Sequence, residues 1–380
     1  MRLLSYFFVL CFVLKPVDSY GNWSQEQTSL NIFLHHTNND AGVDTTKLSQ
    51  IDVGLSSVKI FQGFGINLGG NFVNNQASKA SELVGDDLNL NLSSRVFLSS
   101  FSNIDISTQK FENTRISSHI DNSYLGGNSL YDMQKGSASN LSINLGSDQT
   151  TRSISFNYED NNFEQHRIFT SNIDKSNVIK SAIGSLRYQQ AISEDTFFVS
   201  VVESLQQDNQ VSSLDQIVDI RNIYGGFKTS YLGNSSIEVL IGGTQSQGET
   251  SSQDLEEYSW RVINTLKLKD YFQLKFEAGR SFQASPDPSF NTADTLTYGG
   301  SVGYSLNENL FVHLSLNLYE REFEQSRNSK DVRLVTRLSY EVLSNWFVLA
   351  NYSYEELEYK QINYDQSESI WGVSIKWAAY

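Results

Sequence analysis

From about Leu141 onward the chain repeats one pattern: a stretch in which apolar and polar residues alternate, a short polar turn, a second alternating stretch, then a longer acidic segment rich in Ser, Asn and Gln. A period of two marks a β-strand with one apolar and one polar face. In the last stretch Trp371, Val373, Ile375 and Trp377 are apolar, whereas Ile370, Gly372, Ser374 and Lys376 are mixed, small or charged. The two stretches before it repeat the pattern: Trp346, Val348, Ala350, Tyr352 and Tyr354 form the apolar face of the nearer one, and Val332, Leu334, Thr336, Leu338 and Tyr340 that of the one before.

The short turns are Gly146 to Thr150, Ile192 to Thr196, Leu232 to Ser236, Lys267 to Asp270, Leu306 to Asn309 and Leu343 to Asn345. The long connections are Glu159 to Asn177, Gln207 to Asp219, Gln247 to Glu256, Gln283 to Asp294, Glu322 to Lys330 and Glu356 to Ser367. Short turns at one end and long loops at the other describe an outer-membrane barrel with its short turns in the periplasm. Aromatic residues gather at both ends of the apolar faces, as an interfacial girdle requires. Tyr188, Tyr231, Tyr304, Tyr340, Trp346 and Trp377 fall at the short-turn end, and Tyr158, Trp260, Tyr298, Tyr354 and Trp371 at the other. In the first third, Ser29 to His36, Gln50 to Ile60, Gly65 to Asn75, Asp87 to Phe101 and Thr114 to His119 read as strands. Asp121 to Ala138 has no clear period, and is expected to be a loop or to fold into the lumen. Five early strands and about thirteen later ones predict an all-β, transmembrane, antiparallel up-and-down barrel of about eighteen strands, with sixteen as the alternative.

Composition supports a barrel. Only 39% of residues are hydrophobic, 12% are aromatic and there are 3 prolines. No stretch after the N-terminal run reaches the ~20 apolar residues of a membrane helix, so a membrane protein of this composition must cross with strands. Arg2 and the apolar run Leu3 to Leu14 read as a secretory signal, too short to span a bilayer as a helix. Val17 and Ser19 are small enough to place cleavage before Tyr20, with cleavage after Gly21 as the alternative. Residues 1–19 are then the signal peptide and 20–380 the barrel. The lone cysteine, Cys11, leaves with the signal, so the mature chain has no thiol. A net charge of −15 argues against a nucleic-acid partner. The expected partners are outer-membrane lipid and the barrel-assembly machinery.

Residues suited to catalysis are sparse among five histidines. His313 and Ser315 share a strand face, an arrangement that resembles outer-membrane phospholipases, but no neighbouring motif of that family accompanies them. A polar lumen wall accounts for the pair. His35 and His36 alternate across a strand and do not make a joint metal site without a bulge; His119 and His166 are isolated. Asp254, Glu256 and Glu257, or Asp287 and Asp294, are conceivable calcium ligands, but they lack the ordered spacing of a calcium loop. The chain is therefore read as a non-enzyme with no cofactor and no metal.

The predicted lumen face carries the more informative signal. From Val178 onward its basic residues are Arg187, Lys228, Arg261, Lys267, Lys275, Arg333, Arg337 and Lys376, against acidic Glu238, Glu277 and Glu341. The strand ends add Arg321 against Glu257 and Glu355. A cationic lumen behind an acidic rim favours anions. The competing reading is that these cations pair with acids and hold the wall together.

The hairpins YSLNENLFVHLSLNLYERE (Tyr304 to Glu322) and YEVLSNWFVLANYSYEELEY (Tyr340 to Tyr359), followed by the closing YDQSESIWGVSIKW (Tyr364 to Trp377), resemble the β-barrel porins found with exopolysaccharide and capsule gene clusters. The resemblance runs from about Val178 to Trp377. It implies an outer-membrane exit for a polar or anionic exopolysaccharide, with a periplasmic export protein as partner. The chain departs from the usual assembly signal in that Ala378, Ala379 and Tyr380 trail beyond the in-phase Trp377. Two alternatives follow from the barrel alone: a general diffusion or uptake porin, and a structural or adhesive barrel whose loops bind a surface partner.

Overall fold

A computed structural model describes residues 23–379, except 41–44, 62–63, 117–130, 148–149, 170–171, 212–213, 233–234, 249–254, 269–270, 285–291, 308, 324–326 and 360–363. The expected signal peptide with Cys11, its expected cleavage site before Tyr20, and His119, Asp254, Asp287 and Tyr380 lie outside the described residues.

Eighteen strands follow one another: β1 (Trp23–Asp40), β2 (Thr45–Phe61), β3 (Phe64–Ala77), β4 (Asp87–Ser99), β5 (Ser102–Ile116), β6 (Tyr131–Leu145), β7 (Arg152–Ile168), β8 (Ile173–Ala191), β9 (Thr196–Val211), β10 (Leu214–Tyr231), β11 (Ser235–Gly248), β12 (Leu255–Leu268), β13 (Phe272–Ala284), β14 (Thr292–Ser305), β15 (Leu310–Phe323), β16 (Arg327–Leu343), β17 (Trp346–Tyr359) and β18 (Tyr364–Ala379). Each pairs antiparallel with its chain neighbours, and β1 pairs with β18 from Thr28 opposite Ala379 to Asp40 opposite Ser367. The sheet is therefore a closed barrel of eighteen strands, the larger of the two expected sizes.

The alternation that predicts the strands sets their faces. Leu310, Val312, Leu314, Leu316 and Leu318 point outward on β15, and their register partners Tyr340, Leu338, Thr336, Leu334 and Val332 do so on β16. Both girdles lie on this outer face. Tyr304, Tyr340 and Trp346 are exposed at the short-turn end, Tyr158, Tyr298 and Trp371 at the other, and Trp346 is directly opposite Trp377. Asn345 ends the β16–β17 turn at φ 72°, a left-handed conformation that asparagine tolerates better than most residues.

Three sequence expectations need correction. Most of the long connections are strand: β7 runs to Ile168 and β8 restarts at Ile173, inside the expected loop Glu159 to Asn177. Above the membrane both faces of the sheet are wet, so the ladder continues while the hydrophobic alternation that reports it disappears. Second, Asp87 to Phe101 ends in a turn at Ser99, and the next strand is β5, of which only Thr114 to Ile116 was expected. Third, within Asp121 to Ala138, the residues from Tyr131 onward form the start of wall strand β6; residues 121–130 lie outside the described residues.

The outer apolar belt is uneven. On β15 it runs from Leu310 to Leu318, and on β17 from Trp346 to Tyr354, about 27 Å along each strand. On β6 it runs only from Leu145 to Leu141, and on β7 from Ile154 to Tyr158, about 14 Å along each strand. Above it, Thr108, Lys110, Ser137, Ser139, Asp160 and Asn162 are exposed on the same outer face. On β5 the belt is Ile104 and Ile106 alone.

An arginine at Leu314, in the centre of the tall belt, should lower the unfolding free energy in lipid vesicles by about 2–4 kcal/mol. The same substitution at the inward neighbour Ser315 should cost much less, and equal losses by urea titration would contradict the face assignment.

Candidate functional site in the barrel lumen

The register turns Arg187, Lys228, Arg261, Lys275, Arg333, Arg337 and Lys376 to the inward face of the wall. Their surroundings divide them. Arg187 on β8 makes a bidentate bond to Glu238 on β11, Nη1 to Oε1 at 3.0 Å and Nη2 to Oε2 at 2.5 Å. Arg261 on β12 makes another to Glu203 on β9, at 3.1 and 3.4 Å. Lys275 Nζ donates to Glu277 at 2.8 Å. Among the described residues, Arg333, Arg337 and Lys376 make no ion pair. Lys228 lies directly opposite Glu238 in the ladder.

The two arginine bridges each cross two intervening strands, about 14 Å along a flat sheet. Side chains close that distance because the wall bends sharply there, bringing β10 into contact with β12 and β13. Gly226 and Gly242 face inward at the bend; a Cβ on Gly226 would meet the Val239 carbonyl oxygen at 1.9 Å, and one on Gly242 the Ile223 oxygen at 1.8 Å. Beneath the bridges Val199, Val201, Tyr224 and Leu240 pack together, each 5% exposed or less. The Arg261 guanidinium sits 5.3 Å from the centre of the Tyr224 ring. This sector of the lumen is therefore apolar at its floor and roofed by ion pairs. Sequence reasoning missed both Glu203 and the floor. The available signal was the run Phe197, Phe198, Val199, Val201 and Val202 on β9, which is apolar on both faces and so cannot have a wet lumen side.

On β2–β7 the lumen face is lined with amides and carboxylates. Inward residues include Asn67, Asn71, Asn75, Asn89, Asn91 and Gln109. Asn71 donates to Asp52 at 3.0 Å, and Gln50 to Asn75 at 2.8 Å. Arg95 pairs with Asp105 at 2.5 Å, and Arg115 lies 3.6 Å from Asp132. Arg95 and Arg115 thus meet carboxylates of their own sector, and of these groups Asp52 alone has no cation beside it, only the Asn71 amide.

At the end of the sheet away from the termini, residues 78–86 between β3 and β4 pack against the strand tops. Leu48, Val84, Tyr131 and Ile168 form a buried apolar cluster. The Tyr131 hydroxyl donates to the Lys47 carbonyl at 3.1 Å and accepts from the Lys79 amide at 3.2 Å, tying the loop to β2 and β6. Arg115 acts electrostatically on Glu355 and Glu368, which face each other on β17 and β18. The strand tops at this end are thus tied together by packing and by charge.

His313 and Ser315 both face the lumen, but His313 Nδ1 has no hydrogen-bond partner, so no carboxylate orients the imidazole as nucleophilic catalysis requires. His36 lies on the outer face, bonded to Ser49 at 2.9 Å and 5.4 Å from the Trp371 ring. His166 is 3.4 Å from Glu164. Among the described residues no group of His, Cys, Asp and Glu is placed to hold a metal ion.

Replacing Arg187 with methionine leaves the Glu238 carboxylate without its fork in a nearly buried position, and should destabilise the barrel by about 1–3 kcal/mol. Adding Glu238→Gln should recover part of that loss. Equal urea midpoints for the single and double variants in vesicles would show that the pair does not act as a unit.

No family model and no curated protein matches the sequence. Solved structures do match the fold. The FrpB iron transporter from Neisseria meningitidis (F5-1 variant, apoprotein form) aligns with a TM-score of 0.56 at 10% identity over 92% of this chain, which spans 63% of the transporter's length. The outer membrane protein opdK from Pseudomonas aeruginosa aligns at 0.50 and 10% identity, covering 94% of this chain and 100% of its own. OccK2 (OpdF) from Pseudomonas aeruginosa, in complex with glucuronate, aligns at 0.50 and 10% identity, over 95% and 100%. The chain therefore has the fold of outer-membrane β-barrel porins and transporters, and that likeness supports an outer-membrane location.

Proposed function

We propose that the barrel conducts a polar, anion-bearing carbohydrate across the outer membrane. The observation that carries this reading is the division of the lumen: amide-lined strands on one side, and on the other Arg337 of β16 and Lys376 of β18, cations with no acid opposite them in the ladder. Amides exchange hydrogen bonds with hydroxyls, and guanidinium groups take carboxylates in a fork. Export of an exopolysaccharide, handed over by a periplasmic export protein, is the direction favoured by the resemblance of the closing hairpins to porins of polysaccharide gene clusters. A second reading, uptake of small polar solutes, is favoured by the likeness of the fold to OccK2, solved with glucuronate.

In the native host, changing Arg337 and Lys376 together to glutamate should reduce extracellular polysaccharide while leaving the amount of assembled barrel unchanged. Unchanged secretion together with impaired growth on small acidic sugars would reverse the direction.

A further inference from the structure

Arg333 and Arg337 lie on the same face of β16 yet differ in their neighbours. Arg333 is directly opposite Glu355, with Asp331 on its own face and Glu368 within electrostatic reach, so its charge is largely answered. Arg337 is directly opposite His313 on β15 and Asn351 on β17, hydrogen-bonding groups that are not acids, and its side chain is exposed to the lumen. This row ends in glycine on both sides, with Gly303 beyond His313, beside the Phe311 ring, and Gly372 beyond Asn351.

Towards the short turns the neighbouring row is Phe311, Ser339 and Leu349. The two rows line a cavity of about 490 Å³. Within it, His313 Nδ1 and Asn351 Oδ1 are each short of a hydrogen bond. A buried polar atom without a partner in a native wall calls for a ligand or water that supplies one. The fork of Arg337 matches a carboxylate better than a spherical anion. His313, Asn351 and Ser339 can both donate and accept, as hydroxyls require, and the Phe311 ring offers a flat apolar face. The volume lies in the range of small-molecule sites and accommodates one or two sugar units.

We propose that this cavity is a binding site for a sugar acid, held by its carboxylate on Arg337 and by its hydroxyls on His313, Ser339 and Asn351. The site rests on the reading that carbohydrate passes through the lumen, and narrows the solute to one bearing a carboxylate beside hydroxyls.

The test uses the full-length barrel in planar bilayers, with glucuronate added from the short-turn side. Wild type should conduct and show saturable current block by glucuronate, with glucose producing none and inorganic phosphate at least tenfold less. Arg337→Gln should still conduct and should lose the block at least tenfold, while Arg333→Gln keeps it within twofold. Block that survives Arg337→Gln, is lost equally in Arg333→Gln, or is matched by phosphate overturns the site while leaving conduction intact. A wild-type barrel that does not conduct at all overturns the transport reading, a separate result.

Discussion

The ladder between β1 and β18 is the constraint on which the rest depends. Inside hydrocarbon no water is present to satisfy a backbone N–H or C=O, so a sheet can stay there only if its first and last strands find each other. Here they pair from Thr28 opposite Ala379 to Asp40 opposite Ser367. Once the ring closes, every strand has a lipid face and a lumen face, and the period of two fixes which side chain goes where. The outward leucines of β15 and the inward Arg333 and Arg337 of β16 are consequences of the same closure.

Closure also explains why the lumen is heterogeneous. A wall of eighteen strands can bend unevenly, and the glycines at positions 226 and 242 let it bend most between β8 and β12. There the interior surface folds over on itself, excludes water and behaves as a small core, with Arg187–Glu238 and Arg261–Glu203 as its polar cover. Elsewhere the wall stays open. Cations that meet carboxylates across a bend serve the wall; Arg337 and Lys376 on the open β16–β18 sector remain available to a solute.

Much of this was legible in the sequence, for a definite reason. Where one face meets lipid and the other water, alternation reports each strand, and the later strands were placed with their turns and girdles. The signal failed where that contrast vanished. Beyond the membrane both faces are wet, which hid the upper lengths of β7 and β8. On β5 only Ile104 and Ile106 are apolar and outward, so the strand was recognised only at its end. On β9 both faces are apolar, which concealed the floor beneath the arginine bridges. The inward positions of the seven candidate cations followed from parity alone. Their division into paired and unpaired did not, because Arg187 meets Glu238 across two intervening strands, a contact that no local pattern encodes.

The uneven belt has its own consequence for the membrane around the protein. The tall sector at β15–β17 and the short one at β5–β7 lie on opposite sides of the ring. No flat bilayer meets both upper edges at once. Mismatch costs fractions of a kcal/mol per Å and is relieved by thinning or by tilt. Lipid beside Thr108, Lys110 and Asn162 must therefore thin, or let head groups descend, while lipid beside Leu314 and Tyr352 keeps its full depth. The barrel thus imposes a polarity within the plane of the membrane, a thin side and a thick side, that a neighbour arriving laterally would encounter before touching any loop.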